Sequence, residues 1–186
     1  MSDRPWQLFP GWMTKIETKE WKEKISTNLE WQQPNVKVFG KKYLIPRKTI
    51  FIGEKNISYS YSGITHQSIG WPNWFYPLLE RVCLTSETTF NGCLLNLYRN
   101  GNDRMGWHAD NEKELKYDKP IASLTLGAER DFSLKNCFLP IKENLLLQDG
   151  DLLIMKPPCQ TEWLHSVPIR KRVLDSRINL TFRCYR

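Results

Sequence analysis

Histidine is scarce in this chain: its 186 residues include only His66, His108 and His165. Any imidazole chemistry must draw on those three. The five cysteines, Cys83, Cys93, Cys137, Cys159 and Cys184, are an odd number with no C-x-x-C spacing. That excludes a disulfide framework or a zinc knuckle and points to a reducing compartment. The start, Met-Ser-Asp-Arg-Pro-Trp, has no apolar core of the signal type, and no apolar run approaches the length that spans a bilayer. A soluble intracellular monomer with no membrane partner is the expectation, cytoplasmic in a bacterium and nuclear in a eukaryote. Internal repeats and low-complexity segments are absent too. What is abundant is aromatic: 8 Trp, 7 Tyr and 8 Phe, with the apolar content of a folded protein. The length suits one domain with a core of its own. A net charge of +7 favours a polyanionic partner, although mild basicity alone is a weak pointer to nucleic acid.

Along the chain, residues 1–33 are polar and carry Trp6, Trp12, Trp21 and Trp31, so this extension is expected to pack on the body through its rings. Lys15 to Ile25 fits a short amphipathic helix. Val36 and Val38 alternate with Lys37, a turn follows at residues 39–42, and Thr49–Ile52 and Ile57–Tyr61 read as further strands. A helix fits Pro72 to Val82, with Trp74, Leu78 and Val82 at helical spacing. Beyond it come candidate strands at 90–98, 121–126, 131–137, 145–147, 152–155, 162–167 and 177–185, with Gly101, Gly127, Gly150 and Pro140 marking turns. So many short strands imply a mainly β protein with flanking helices, its core an antiparallel jelly roll.

Three patterns carry chemistry. His108 and Asp110 form an H-x-D pair, and residues i and i+2 of extended backbone point to one side, so both can reach one ion. With His165 they give two imidazoles and one carboxylate, the ligand set of non-haem Fe(II) oxygenases; zinc in a hydrolase accepts the same set. The last strand reads Arg177-Ile178-Asn179-Leu180-Thr181-Phe182-Arg183, with polar residues at every second position. That is either an ordinary solvated face or a pair of guanidiniums set to hold a dicarboxylic acid. Asn96 and Tyr98 repeat the alternation just before the H-x-D pair.

Taken in order, N-x-Y, H-x-D, a later His and R-x-N-x-T-x-R resemble the AlkB family of Fe(II)/2-oxoglutarate dioxygenases, over roughly Val38 to Arg183. The resemblance implies a double-stranded β-helix, with His108, Asp110 and His165 as catalytic iron ligands. It implies 2-oxoglutarate held by Asn96, Tyr98, Arg177, Asn179 and Arg183, with Thr181 assisting, and O₂ as the other co-substrate. Residues 34–90 resemble the nucleotide-recognition lid of members that act on duplex DNA, leaving 91–186 as the catalytic core. Phe39 would then fill the gap left by a flipped base, Arg47 and Ser62 would contact the substrate, and Tyr59, Tyr61 and His108 would line the base pocket. Extraction of a base costs a few kcal/mol, least at a damaged pair. Glu112 would face the base edge and favour a cationic methylated base.

The implied activity is oxidative demethylation of bases such as 1-methyladenine and 3-methylcytosine in DNA. It is coupled to conversion of 2-oxoglutarate to succinate and CO₂, with release of formaldehyde. Blander readings stand beside it: Phe39 as a core residue, Tyr59 and Tyr61 as ordinary strand formers, Lys41, Lys42, Arg47 and Lys48 as a solvated patch, and Arg170-Lys171-Arg172 likewise. One departure concerns residues 131–147, where duplex-acting relatives have a longer basic loop and this chain is short and nearly neutral. Single-stranded DNA or RNA therefore stays open as substrate. An oxygenase acting on RNA or protein is the alternative enzyme, and a non-catalytic nucleic-acid binder is the reading of another class.

Overall fold

In chain order the backbone forms β1 (Trp6–Phe9), α1 (Lys15–Asn28), β2 (Asn35–Val38), β3 (Lys41–Leu44), β4 (Lys48–Gly53), β5 (Ser58–Tyr61) and β6 (Ile64–Gln67). A 3-10 turn at Asn73–Phe75 leads into α2 (Tyr76–Thr85). There follow β7 (Gly92–Tyr98), β8 (Met105–His108), β9 (Ile121–Gly127), β10 (Arg130–Asn136), β11 (Lys142–Leu147), β12 (Leu152–Met155), α3 (Pro158–Glu162), β13 (Trp163–Val167) and β14 (Arg177–Arg183). This computed structural model describes residues 4–38, 40–61 and 64–186. Phe39 and Ser62 lie outside the described residues, as does the side chain of Tyr61. Among the described residues no helix is long and apolar enough to cross a membrane.

The strands form two facing antiparallel sheets. The larger runs β1-β12-β9-β14-β7-β4 and the smaller β11-β10-β13-β8, while β2-β3 and β5-β6 stand apart as hairpins. This is the jelly-roll arrangement expected from the run of short strands. The larger sheet draws on all three segments of the chain, since β1 comes from residues 1–33 and β4 from residues 34–90.

Both faces of that sheet are covered, and the period of two decides what each receives. On β7, Cys93 and Leu95 join a core with Ile25, Phe75, Leu78 and Val82 of the helices, and Ile178, Leu180 and Phe182 of β14 point the same way. Leu94 and Tyr98 turn to the other face, into a second cluster with Phe132, Leu134, Leu153, Met155 and Val167. Cutting Phe182 back to alanine would cost about 3–5 kcal/mol, the usual penalty for a fully buried aromatic. The polar residues of β14 are thereby sent between the sheets: all seven of its residues are buried, so the alternation is not that of a solvated face.

The helices brace the outer side. Thr14 caps α1 in a reciprocal box with Glu17, worth about 1 kcal/mol. The tryptophans of the extension behave as expected. Trp6 meets Trp163 edge to face at 4.9 Å, Trp21 lies 6.2 Å from Trp74, and the Arg81 guanidinium sits 4.2 Å above Trp12. The helix expected from Pro72 is displaced: residues 73–75 wind as a 3-10 turn and α2 begins at Tyr76, with Pro77 in its first turn, where a missing N–H is tolerated.

One glycine is required by close approach. A Cβ on Gly101 would collide with the Arg170 carbonyl oxygen. Its backbone exchanges hydrogen bonds with the 170–173 turn: Gly101 N–H donates to Val173 O at 2.7 Å, and Arg170 N–H to Gly101 O at 2.8 Å. The basic triplet Arg170-Lys171-Arg172 is thus fixed against the segment that follows β7.

Candidate active site

His108 ends β8 and His165 sits mid-way along β13. The two are Cα partners in the ladder, which sets their rings 4.2 Å apart, edge to face. Asp110 follows two residues after His108. Its Oδ1 lies 3.6 Å from His108 Nε2, and its Oδ2 lies 3.9 Å from His165 Nε2. One ligand atom from each residue falls within 4.8 Å of the others, so the three can close on one ion. The His108 Nδ1–H donates to the Gly106 carbonyl at 2.8 Å, which leaves Nε2 with its lone pair facing Asp110. Phe132 stacks on the His165 ring at 5.0 Å.

Electrostatics favour the ligating protonation states. Burial, and then the neighbouring His108, push His165 down to about 3, and burial also lowers His108, so both imidazoles are neutral at physiological pH. Burial pushes the Asp110 carboxyl up, but the Arg183 guanidinium outweighs it and holds the group below the usual carboxylate range. Arg183 is the hub: it donates to Asp110 Oδ1 at 2.7 Å and to Glu112 Oε1 at 3.1 Å. Glu112 is raised, first by burial; Arg183 opposes this and the Asp110 charge adds to it.

Beside the triad, β7 and β14 place the predicted co-substrate residues in register, Asn96 opposite Asn179 and Tyr98 opposite Arg177. Thr181 Oγ1 donates to Asn179 Oδ1 at 3.0 Å, and Asn179 Nδ2 donates to Ser123 Oγ at 2.8 Å. Arg177 NH2 donates to Thr125 Oγ1 at 2.9 Å, with the guanidinium 5.4 Å from the Tyr98 ring centroid. Its Nε and NH1 are buried with no hydrogen-bond partner among the described residues, and burial pushes this arginine down to about 10. A buried cation with two unsatisfied N–H groups fits an incoming carboxylate. The donor set of two neutral imidazoles and a carboxylate likewise fits Fe(II), so both groups are compatible with the residues present.

A cavity of about 730 Å³, its mouth included, joins these groups. His108, Asp110, His165, Asn96, Tyr98, Asn179, Thr181 and Arg183 line it, as do Tyr59, Arg47 and Glu112. Arg177 is not in that lining; it lies beside Tyr98. Tyr59 is buried, in edge contact with Phe51, so it forms a wall and is no solvent-side strand residue. Arg47 leaves the patch in which sequence placed it: it is buried, and its Nε donates to Asn96 Oδ1 at 2.8 Å.

Several contributors were not anticipated. Ser123 and Thr125 hold Asn179 and Arg177, and polar residues at alternate positions in the apolar run 121–126 were the available signal. Gln160 of α3 accepts the Asp110 backbone N–H at 2.9 Å. Arg130, fully buried, donates to the carbonyls of Asn100, Asp103 and Pro168 and lies 5.6 Å from the Tyr98 ring centroid. No local pattern distinguishes that arginine. The short 137–141 connection between β10 and β11 ends in exposed Phe138 and Leu139, in line with its lack of cations in the sequence.

Comparison with known proteins agrees with this site. The model of the 2OG-Fe(II) oxygenase superfamily matches residues 6–183. The chain belongs to that superfamily. The similar curated proteins carry AlkB names. The chain is 42% identical to the DNA oxidative demethylase ALKBH2 of Mus musculus over 156 residues, 80% of this chain and 65% of that protein. The alkB homolog 3 dioxygenase of Homo sapiens is 35% identical over 190 residues, 95% of this chain and 64% of that protein. The chain therefore spans less than two thirds of the length of these relatives. Among solved structures, OsALKBH1 aligns over 98% of this chain and 99% of its own, with a TM-score of 0.65 at 14% identity, which supports the fold.

Proposed function

We propose that the chain is an Fe(II)/2-oxoglutarate-dependent dioxygenase that removes N-methyl groups from alkylated bases of the 1-methyladenine and 3-methylcytosine type in DNA. The observation that carries this reading is the cavity shared by the His108–Asp110–His165 cluster, Asn179 and Thr181 of β14, and an aromatic wall with a carboxylate, Tyr59 and Glu112. The names of the ALKBH2 and alkB homolog 3 relatives support it.

His108, Asp110 and His165 would hold the iron, and Arg177, Asn96 and Asn179 the 2-oxoglutarate. Bound there, the pair would activate O₂, one oxygen atom hydroxylating an N-methyl carbon and the other entering the succinate that leaves with CO₂. The hydroxymethyl group then departs as formaldehyde. The chain supplies position and charge. Gly106 fixes the tautomer of His108, and Arg183 keeps Asp110 ionised and pointed at the imidazoles. Tyr59 closes one side of the cavity and excludes water from the base. Glu112 gives that side a negative charge, which Arg183 partly offsets. A bare carboxylate 4 Å from a cationic base would contribute about 4 kcal/mol at an effective dielectric of 20. The neutral, unmethylated base gains none of this.

The test is 2-oxoglutarate turnover on matched oligonucleotides, single-stranded, duplex and RNA, each with and without one 1-methyladenine. The reading expects consumption stimulated by the lesion in DNA. Equal turnover with methylated and unmethylated strands would overturn it. The apolar, cation-poor 137–141 connection favours single strands over duplex in that comparison.

A further inference from the structure

Asp110 is common to the walls of two recesses. One is the cavity; the other is a cleft of about 380 Å³, its open mouth included, bounded by the loop that follows the metal-ligand pair. That loop, residues 112–119, makes two successive turns. Leu115 N–H donates to Glu112 O at 2.9 Å, and Lys119 N–H to Lys116 O at 3.2 Å. It is fastened to the chain beyond β14. Lys116 N–H donates to Cys184 O and Arg186 N–H to Glu114 O, at 2.9 and 2.8 Å, and Leu115 bridges Tyr185. On the other side, Ser60 N–H of β5 donates to Glu114 Oε1 at 3.4 Å, which ties the loop to a hairpin beside the cavity.

An exposed loop bonded this thoroughly holds its side chains in a fixed array. Lys113, Lys116, Tyr117 and Lys119 are all exposed. The Arg186 guanidinium lies 5.0 Å from the Tyr117 ring centroid and backs that ring. Lys116 and Lys119 line the cleft with Asn111 and Thr161, over a floor of Leu115 and Ile121. The carboxylates nearby each have a partner of their own. Asp118 pairs with Lys119 at 3.6 Å, Glu114 is turned to Ser60, and Asp110 is met by Arg183. Lys113 and Lys116 have no ion-pair partner among the described residues. A structural role for the Tyr117–Arg186 contact would explain the ring. It would not explain two exposed lysines lining the same cleft.

We propose that this loop binds the single-stranded flank of the substrate, with a backbone phosphate between Lys116 and Lys119 in the cleft and the base next to the lesion stacked on Tyr117. The inference rests on the reading that the substrate is a nucleic acid. An aromatic face backed by a cation beside phosphate-binding lysines is the chemistry that holds single strands without reading their sequence. The array begins one residue after Glu112, and Asp110 lines both recesses, so the cleft adjoins the cavity.

The test is binding of unmodified single-stranded 15-mers and trimers, read by fluorescence anisotropy over a salt series, with wild type, Tyr117→Ala, Tyr117→Phe and Lys116→Gln/Lys119→Gln. Circular dichroism and thermal melts establish that each variant is folded. Tyr117→Ala is expected to weaken 15-mer binding roughly 5- to 150-fold while Tyr117→Phe binds as wild type, because stacking needs the ring and not the hydroxyl. The double lysine variant is expected to flatten the slope of log affinity against log salt by about 0.7, the share of the one phosphate left without its lysines. The advantage of the 15-mer over the trimer should shrink in both. If wild type binds the 15-mer and the variants match it in affinity and slope, the inference is overturned while the proposed function stands. If wild type binds no oligonucleotide, both fall. Competition of wild type by inorganic phosphate at millimolar concentration, with no preference for longer strands, would assign the cleft to a free anion and also overturn the proposal.

Discussion

Replacing Arg183 with methionine probes the most concentrated electrostatics in the molecule. The side chain is 3% exposed and donates to two carboxylates, Asp110 and Glu112, that are themselves out of water. Methionine keeps much of the volume and removes the charge. Breaking a buried ion pair by deleting one partner costs about 3–5 kcal/mol, because the surviving charge has neither water nor a counter-ion. For a domain of this length each kcal/mol lowers the melting temperature by about 2–4 °C, so a fall of about 6–20 °C is expected in the metal-free protein. The sharper part is a change of sign. In wild type, Glu112→Gln removes one charge-assisted hydrogen bond and should destabilise by about 1–3 kcal/mol. In the Arg183→Met background the same substitution should stabilise, since it separates two like charges left facing each other. Urea denaturation of the four proteins of this cycle measures both effects. A melting temperature within 2 °C of wild type for Arg183→Met, or the same sign for Glu112→Gln in both backgrounds, would refute the reasoning.

Other expectations concern separate parts of the fold. Gly101→Ala forces a methyl against the Arg170 carbonyl and should destabilise by more than about 3 kcal/mol in a thermal melt, beyond the ordinary range of surface changes. Arg177→Lys keeps the charge but loses the fork whose Nε and NH1 await a carboxylate; it should raise the KM for 2-oxoglutarate about tenfold or more in a succinate-release assay, with kcat less affected. Burial pushes Asp103 up, but hydrogen bonds from Arg99 hold it below its ordinary 3.8. A depressed carboxylate stabilises the fold above that value and ceases to do so as the pH falls through its folded value. Asp103→Asn should therefore melt lower than wild type at neutral pH, with the gap closing as the pH falls below 3.8.

The parts of the fold that sequence made legible share one property: their pattern is local. The alternation in 177–183 and in 93–98 reads directly as strands, and the apolar half of each repeat lands in the helix-side core. What stayed hidden was created by partners far along the chain. Nothing strand-like marks Met105-Gly106-Trp107-His108; it is extended because β13 pairs with it, and that pairing also sets His108 beside His165. Trp6–Phe9 sat within a polar, Trp-rich stretch and became a sheet edge only through its ladder with β12. Arg47 looked like one member of a basic cluster, and its burial depends on where β7 brings Asn96. Arg130 is the same case in stronger form, since its three carbonyl partners come from two other segments.

The central claim is that one cavity couples 2-oxoglutarate to a methylated base through His108, Asp110 and His165. The most direct measurement is the stoichiometry of formaldehyde and succinate released from an oligonucleotide carrying a single 1-methyladenine, with Fe(II), ascorbate and 2-oxoglutarate, for wild type and His108→Ala. The account predicts equimolar release by wild type and none by the variant. Absence of formaldehyde from wild type, or release indistinguishable between wild type and His108→Ala, would contradict it.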